Sequence, residues 1–109
     1  KYLEVAQQSG KQVGIHAHNN IQLAYANTIE AYRNGVDFLD CTISGLGRGA
    51  GNCPMELLLG YLKNPKYKQL PVLEFIQEHM VKLEKELDWG YSIPYMITGQ
   101  LVEHPRSAM

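Results

Sequence analysis

The spacing of hydrophobic and polar positions changes period several times along this chain. In "QVGIHAHNN", residues 12–20, the two classes alternate: Val13, Ile15 and Ala17 fall on one side, Gly14, His16 and His18 on the other. A repeat of two is the signature of a strand. "IQLAYANTIEAYRNG", residues 21–35, switches to helical spacing, with Ile21, Tyr25, Ile29 and Tyr32 on one stripe and Ala24, Thr28 and Ala31 widening it. "VDFLDCTIS", residues 36–44, alternates again, with Leu39, Cys41 and Ile43 on one side and Asp40, Thr42 and Ser44 on the other. "GLGRGAGN", residues 45–52, predicts a glycine-rich loop, and Pro54 predicts the start of a helix running to about Lys63. Residues 1–9 read as a helix end with Gly10 as its stop.

Two strands separated by one helix pair in parallel through a right-handed crossover. Two such units cannot cover both faces of a parallel sheet by themselves. The expectation is therefore an α/β fold in which residues 1–63 are closing strand–helix units of a larger protein. The absence of an initial Met and the helix-like Pro105 near the end, "HPRSAM", point the same way. After a polar connector, "KNPKYKQLP" (63–71), the pattern predicts a helical extension over 64–109. Its main helix places Leu73, Ile76, Met80, Leu83 and Leu87 on one face, with Glu78 and Lys82 four apart on the other. A turn at Gly90 and a short helix started near Pro94 follow.

Composition narrows the classes. The chain has 109 residues, a net charge of -1 and 19% charged positions, so no basic field invites nucleic acid or an anionic membrane. No apolar run approaches the ~20 residues that cross a bilayer, and the first residues lack a signal-peptide layout. Cys41 and Cys53, twelve apart, read as free thiols of a reducing cytoplasm, not as a disulfide framework.

The chemistry concentrates in two places. Residues i and i+2 of a strand project to the same side, so His16 and His18 can grip one ion, or can satisfy buried partners. The loop has glycines at 45, 47, 49 and 51, which permit close approach of backbone to a ligand. It matches neither the dinucleotide fingerprint nor a Walker loop. Gly47, Arg48, Gly49 and Gly51 are candidate substrate-binding positions, and Arg48 is either a clamp on an anionic substrate or a solvated side chain. Asn52 offers a carboxamide oxygen to a hard cation. Glu56 either caps the following helix or fixes a neighbour. His79 and His104 read as surface or packing residues.

The stretch from Gly14 to Leu58 resembles the metal-dependent lyases and Claisen-type synthases built on a TIM barrel, a superfamily that includes HMG-CoA lyase, 2-isopropylmalate synthase, homocitrate synthase and 4-hydroxy-2-oxovalerate aldolase. The resemblance rests on H-x-H-[ND] at His16 to Asn19, on Ala26–Asn27, on Asp40, and on G-x-G-x-G-x-G-N-x-x-x-E from Gly45 to Glu56. The loop looks most like the aldolase branch. The resemblance implies the last βα units of a (β/α)8 barrel, with His16, His18 and Asn52 as ligands of a divalent cation. Mg²⁺ or Mn²⁺ suits such donors best, with Zn²⁺ or Co²⁺ as further candidates. The implied reaction is carbon–carbon cleavage of a small 2-oxo acid through a metal-stabilised enolate. A Claisen-type acyltransferase and a non-catalytic oligomerisation module are the alternatives, and a homo-oligomer is a candidate assembly. The family's D-x-x-R-[ED] motif, which carries a further ligand and an arginine, is absent from this sequence, so the chain alone is expected to be inactive. No general base is assigned.

Overall fold

A computed structural model describes residues 1–108. Helix α1 (Tyr2–Gln8) leads to strand β1 (Gly14–Ile15), helix α2 (Ala24–Arg33), strand β2 (Phe38–Leu39), a 3-10 turn (Ile43–Gly45) and helix α3 (Met55–Leu62). Helix α4 (Leu70–Phe75) then passes through a π-turn (Ile76–Met80) into α5 (Val81–Leu87), and α6 (Ile93–Gln100) and a 3-10 turn (Pro105–Ala108) follow. The expected order of elements holds for these residues. The last position of the predicted 64–109 extension, Met109, lies outside the described residues.

β1 and β2 pair in parallel, Gly14 opposite Phe38 and Ile15 opposite Leu39, with α2 as the crossover between them. Both strands are two residues long, far shorter than the alternating runs 12–20 and 36–44. Alternation describes a run's faces, whereas a ladder also needs a partner along its whole length. Past Leu39 the chain pairs instead with the segment after the glycine loop, through an isolated parallel bridge at Thr42–Pro54, and past Ile15 the first run meets the end of that loop through an isolated antiparallel bridge at His18–Asn52. Ser44 departs from the strand altogether: its φ of 54° is left-handed.

The core is small. Ala24, Cys53 and Leu58 are buried at its centre, and Ala17, Tyr25, Ile29, Leu39 and Cys41 pack around them. Ala17, Leu39 and Cys41 thus share the helix-covered side, as the alternation predicts. Helix α2 begins at Ala24, three residues later than the pattern suggests, because Asn19 and Gln22 form a turn first and the Asn19 carboxamide oxygen accepts the Ala24 N–H at 3.2 Å. Its buried stripe is Ala24 and Thr28, both fully covered, whereas Ile21 and Tyr32 are largely exposed. Small residues win this face because the helix lies close to Cys53, and the Thr28 hydroxyl is satisfied by donating to the Ala24 carbonyl at 2.7 Å.

The extension folds back onto the glycine loop. Along α4 to α5 the covered positions are Val72, Ile76, Met80 and Leu83, while Leu73 and Leu87 at the ends are exposed. The π-turn adds a residue to one turn and so rotates the stripe. The predicted Glu78–Lys82 partnership gives way to Glu78 beside His79 at 3.7 Å. Trp89, buried at the end of α5, donates its indole N–H to the Ser44 carbonyl at 3.0 Å. Helix α6 is capped by Ser92, whose hydroxyl accepts the Tyr95 N–H. Gly99 lets it lie against Asn20 and Ile21, since a Cβ there would stand 2.9 Å from both side chains. No helix among the described residues is long and apolar enough to cross a membrane, and both cysteines are free.

Candidate metal centre

His16 follows β1 directly and His18 stands two residues on. Their rings meet edge to face, centroids 4.9 Å apart and planes at 83°, so the same-side projection expected from the alternation is what the backbone delivers. Asp40, one residue beyond β2, lies on the same side. The His16 Nδ1–H donates to Asp40 Oδ2 at 2.7 Å. That bond fixes the His16 tautomer and leaves Nε2 with its lone pair, the arrangement by which a carboxylate orients a metal-ligating imidazole. The alternation places Asp40 on this side but does not show that it holds a histidine.

The backbone brings Asn52 to His18. The two residues face each other in an antiparallel bridge, closed by the Asn19 N–H donating to the Gly51 carbonyl at 2.9 Å. The Asn52 N–H donates to the Gly45 carbonyl at 2.9 Å, and the Asn52 side-chain amide donates to the Leu46 carbonyl at 3.1 Å. With both nitrogens committed to the loop, the carboxamide Oδ1 is left as an acceptor. Two imidazoles and one amide oxygen fit a borderline or hard divalent cation. No group of three or more His, Cys, Asp or Glu side chains suited to a metal occurs among the described residues, so any further carboxylate ligand would come from elsewhere.

The glycine loop is held at both ends of one residue. The Ser44 N–H donates to Glu56 Oε2 at 3.0 Å, and the Ser44 carbonyl accepts from Trp89. Glu56 therefore fixes a neighbour, and it makes no side-chain cap on α3. Gly51, at φ 84°, passes so close to the Gly45 carbonyl that no Cβ would fit. Its contribution is backbone, through the carbonyl that pairs with Asn19. Gly47, Arg48 and Gly49 line a cavity of about 360 Å³ together with Trp89 and Tyr95. Arg48 also reaches a second cavity of about 380 Å³, where His18 meets the segment Val102–Pro105. His104 is thus part of the same wall as His18, which its position in the sequence gave no reason to expect. His79 packs against Phe75 on the exposed side of the π-turn, ring centroids 4.9 Å apart and planes tilted by 47°.

Burial raises the Cys41 thiol above its ordinary pKa, with smaller contributions from Cys53, Asp40 and Glu56. Burial likewise raises Cys53, partly offset by a hydrogen bond with Thr28. Both stay protonated near neutrality. Cys41 lies on the covered side, away from the histidines.

Known proteins resemble the chain in sequence and in fold. The HMGL-like family profile matches residues 3–84. The chain is 54% identical over 55 residues to the oxaloacetate decarboxylase of Mycobacterium tuberculosis, an overlap of 50% of this chain and 16% of that protein. It is 34% identical over 83 residues to the 4-hydroxy-2-oxovalerate aldolase of Desulfitobacterium hafniense, or 70% of this chain and 25% of that one. Among solved structures, the N-terminal domain of a candidate aldolase from Bacteroides vulgatus superimposes with a TM-score of 0.81 at 40% identity, covering 91% of this chain and 34% of that one. The chain spans a quarter or less of the length of these curated relatives.

Proposed function

The chain belongs to the HMGL-like family, and on that premise we propose that it supplies the metal-ligating part of a divalent-metal-dependent lyase that cleaves a carbon–carbon bond in a small 2-oxo acid. The observation that carries the reading is the junction of His16, His18 and Asn52: two rings 4.9 Å apart, and a backbone bridge that sets Asn52 opposite His18. The names of the relatives, aldolase and oxaloacetate decarboxylase, supply the reaction class.

His16, His18 and Asn52 would hold the cation, and Asp40 orients His16. Mg²⁺ or Mn²⁺ matches a set completed by oxygen donors. When bound, such a cation supplies Lewis-acid stabilisation of the negative charge that develops on the keto oxygen. The chain's own residues do the rest of what is assigned here. The loop at Gly47 to Gly51 shapes the mouth, and its fixed carbonyls and amides keep Asn52 in place. Residues 1–63 would form closing βα units of a barrel, and the extension from residue 64 would brace the loop through Trp89.

The test is release of pyruvate from a 4-hydroxy-2-oxo acid by the full-length protein in the presence of Mn²⁺. His18→Ala should lower the rate at least about 100-fold, as loss of a group that stabilises developing charge does. An unchanged rate contradicts the reading.

A further inference from the structure

Cys41 and Cys53 are twelve positions apart in sequence and opposite one another in the fold. Thr42 pairs in parallel with Pro54. The Thr42 N–H donates to the Cys53 carbonyl at 3.0 Å, and the Met55 N–H donates to the Thr42 carbonyl at 2.8 Å. That register sets the residue before each partner, Cys41 and Cys53, side by side on the two segments. Both side chains face the helix-covered side: Cys53 is fully buried at the centre of the core, and Cys41 packs against it, partly exposed. Neighbouring strands run about 4.8 Å apart, inside the span of about 4.4–6.8 Å between Cα atoms that a disulfide bridges. Both thiols are free, so the pair is a dithiol placed for closure.

The residues just before them belong to the candidate metal centre. Asp40 precedes Cys41 and holds His16, and Asn52 precedes Cys53 and stands opposite His18. Resting on the metal reading above, we propose that Cys41 and Cys53 form a reversible disulfide by exchange with small disulfides, and that the closed form binds the divalent cation more weakly. Cys41 reacts first, because Cys53 is fully buried. Its thiolate, the proton having passed to solvent, attacks one sulfur of the small disulfide; that S–S bond breaks, and the first small thiolate leaves and takes up a proton. The Cys53 thiolate then attacks the Cys41 sulfur of the mixed disulfide and expels the second. The two protein thiols lose two electrons together, and the small disulfide is reduced to two thiols. The Cβ atoms of a disulfide stand about 3.8 Å apart, closer than the strands themselves, so closure draws the Cys53 segment toward Cys41. Asn52 moves with it, off the position that faces His18, while the tied ends of residues 42–52 let the glycine loop open less often.

The test starts from the full-length protein incubated with oxidised glutathione, alkylated, digested and mapped by mass. A linked Cys41–Cys53 peptide is expected, and dithiothreitol should abolish it. Cys53→Ser should stop at a glutathione adduct on Cys41, and Cys41→Ser should leave Cys53 unmodified. Calorimetric titration with Mn²⁺ should give the oxidised protein an affinity at least about 10-fold below that of the reduced protein, the scale of disturbing a ligand's support, restored once dithiothreitol has been applied and removed. In the metal-free protein, amide exchange over residues 45–52 should slow on oxidation. Absence of Mn²⁺ binding by the reduced protein would count against the metal reading, and the amide exchange would still decide the switch. The proposal is overturned if no linked peptide forms, if oxidised and reduced protein bind Mn²⁺ equally, or if exchange over residues 45–52 is the same in both.

Discussion

His16 and Asp40 are joined by a 2.7 Å hydrogen bond between residues that follow neighbouring parallel strands. Adjacent strands thus deliver an imidazole and its orienting carboxylate to one side of the sheet. Asp40→Asn keeps the shape and removes the charge. It should lower Mn²⁺ affinity about 10- to 100-fold, the range for removal of a carboxylate behind a ligating histidine, with the thermal midpoint of the metal-free chain little changed. Calorimetric titration reads the first quantity and a melting curve the second. An unaltered affinity would show that the bond serves packing alone.

Gly51 and Gly10 both have positive φ, 84° and 68°, but only Gly51 faces a backbone carbonyl where a Cβ would sit. Gly10→Ala should cost about 1 kcal/mol, the strain of a left-handed alanine. Gly51→Ala adds a collision that the bridge at His18–Asn52 must absorb, and should cost at least about 2 kcal/mol more, in the range of overpacking. Urea unfolding of the two variants gives the difference, and equal midpoints would remove the close approach from the account.

Trp89→Phe leaves the Ser44 carbonyl without its donor. Loss of this hydrogen bond should cost about 1–2 kcal/mol and speed amide exchange from Ser44 to Asn52 while α2 keeps its protection. Exchange that accelerates uniformly over the chain would mean that Trp89 supports the fold as a whole and does not brace the loop in particular.

The thiols give a pH prediction. Cys41 and Cys53 have pKa values raised by burial, so the folded chain holds their protons more tightly than the unfolded chain does. Their contribution is fully present below the ordinary thiol value of about 8.5 and is lost as pH rises through the higher folded values. The urea midpoint should fall between pH 8 and pH 10, and a Cys41→Ala, Cys53→Ala variant should show a shallower fall. Matching slopes would assign the decline to other groups.

Much of this was legible in the residues. Period two at 12–20 and 36–44 placed His16, His18 and Asp40 on one side of the sheet and Ala17, Leu39 and Cys41 on the other, because alternation is fixed by the strand backbone itself. The helix starting at Pro54 and the short helix started near Pro94 were readable because prolines act locally, whereas the Ser92 cap was not singled out. What stayed hidden depends on contacts distant in sequence. The truncation of both strands follows from pairing across the loop, the shifted stripe after Ile76 from a π-turn, and the roles of Trp89 and His104 from a chain that folds back over some 45 to 56 residues. Glu56 was readable as polar and helix-bound, but its choice of Ser44 over a cap depends on the left-handed turn at Ser44.

The most direct test of the metal centre is the paramagnetic effect of substoichiometric Mn²⁺ on the assigned NMR spectrum of this chain. The rings of His16 and His18 and the side-chain amide of Asn52 should broaden first and together, ahead of the carboxylate-rich face of α5. First broadening at Glu84 to Asp88, or at one histidine without the other two groups, would contradict a shared cation site.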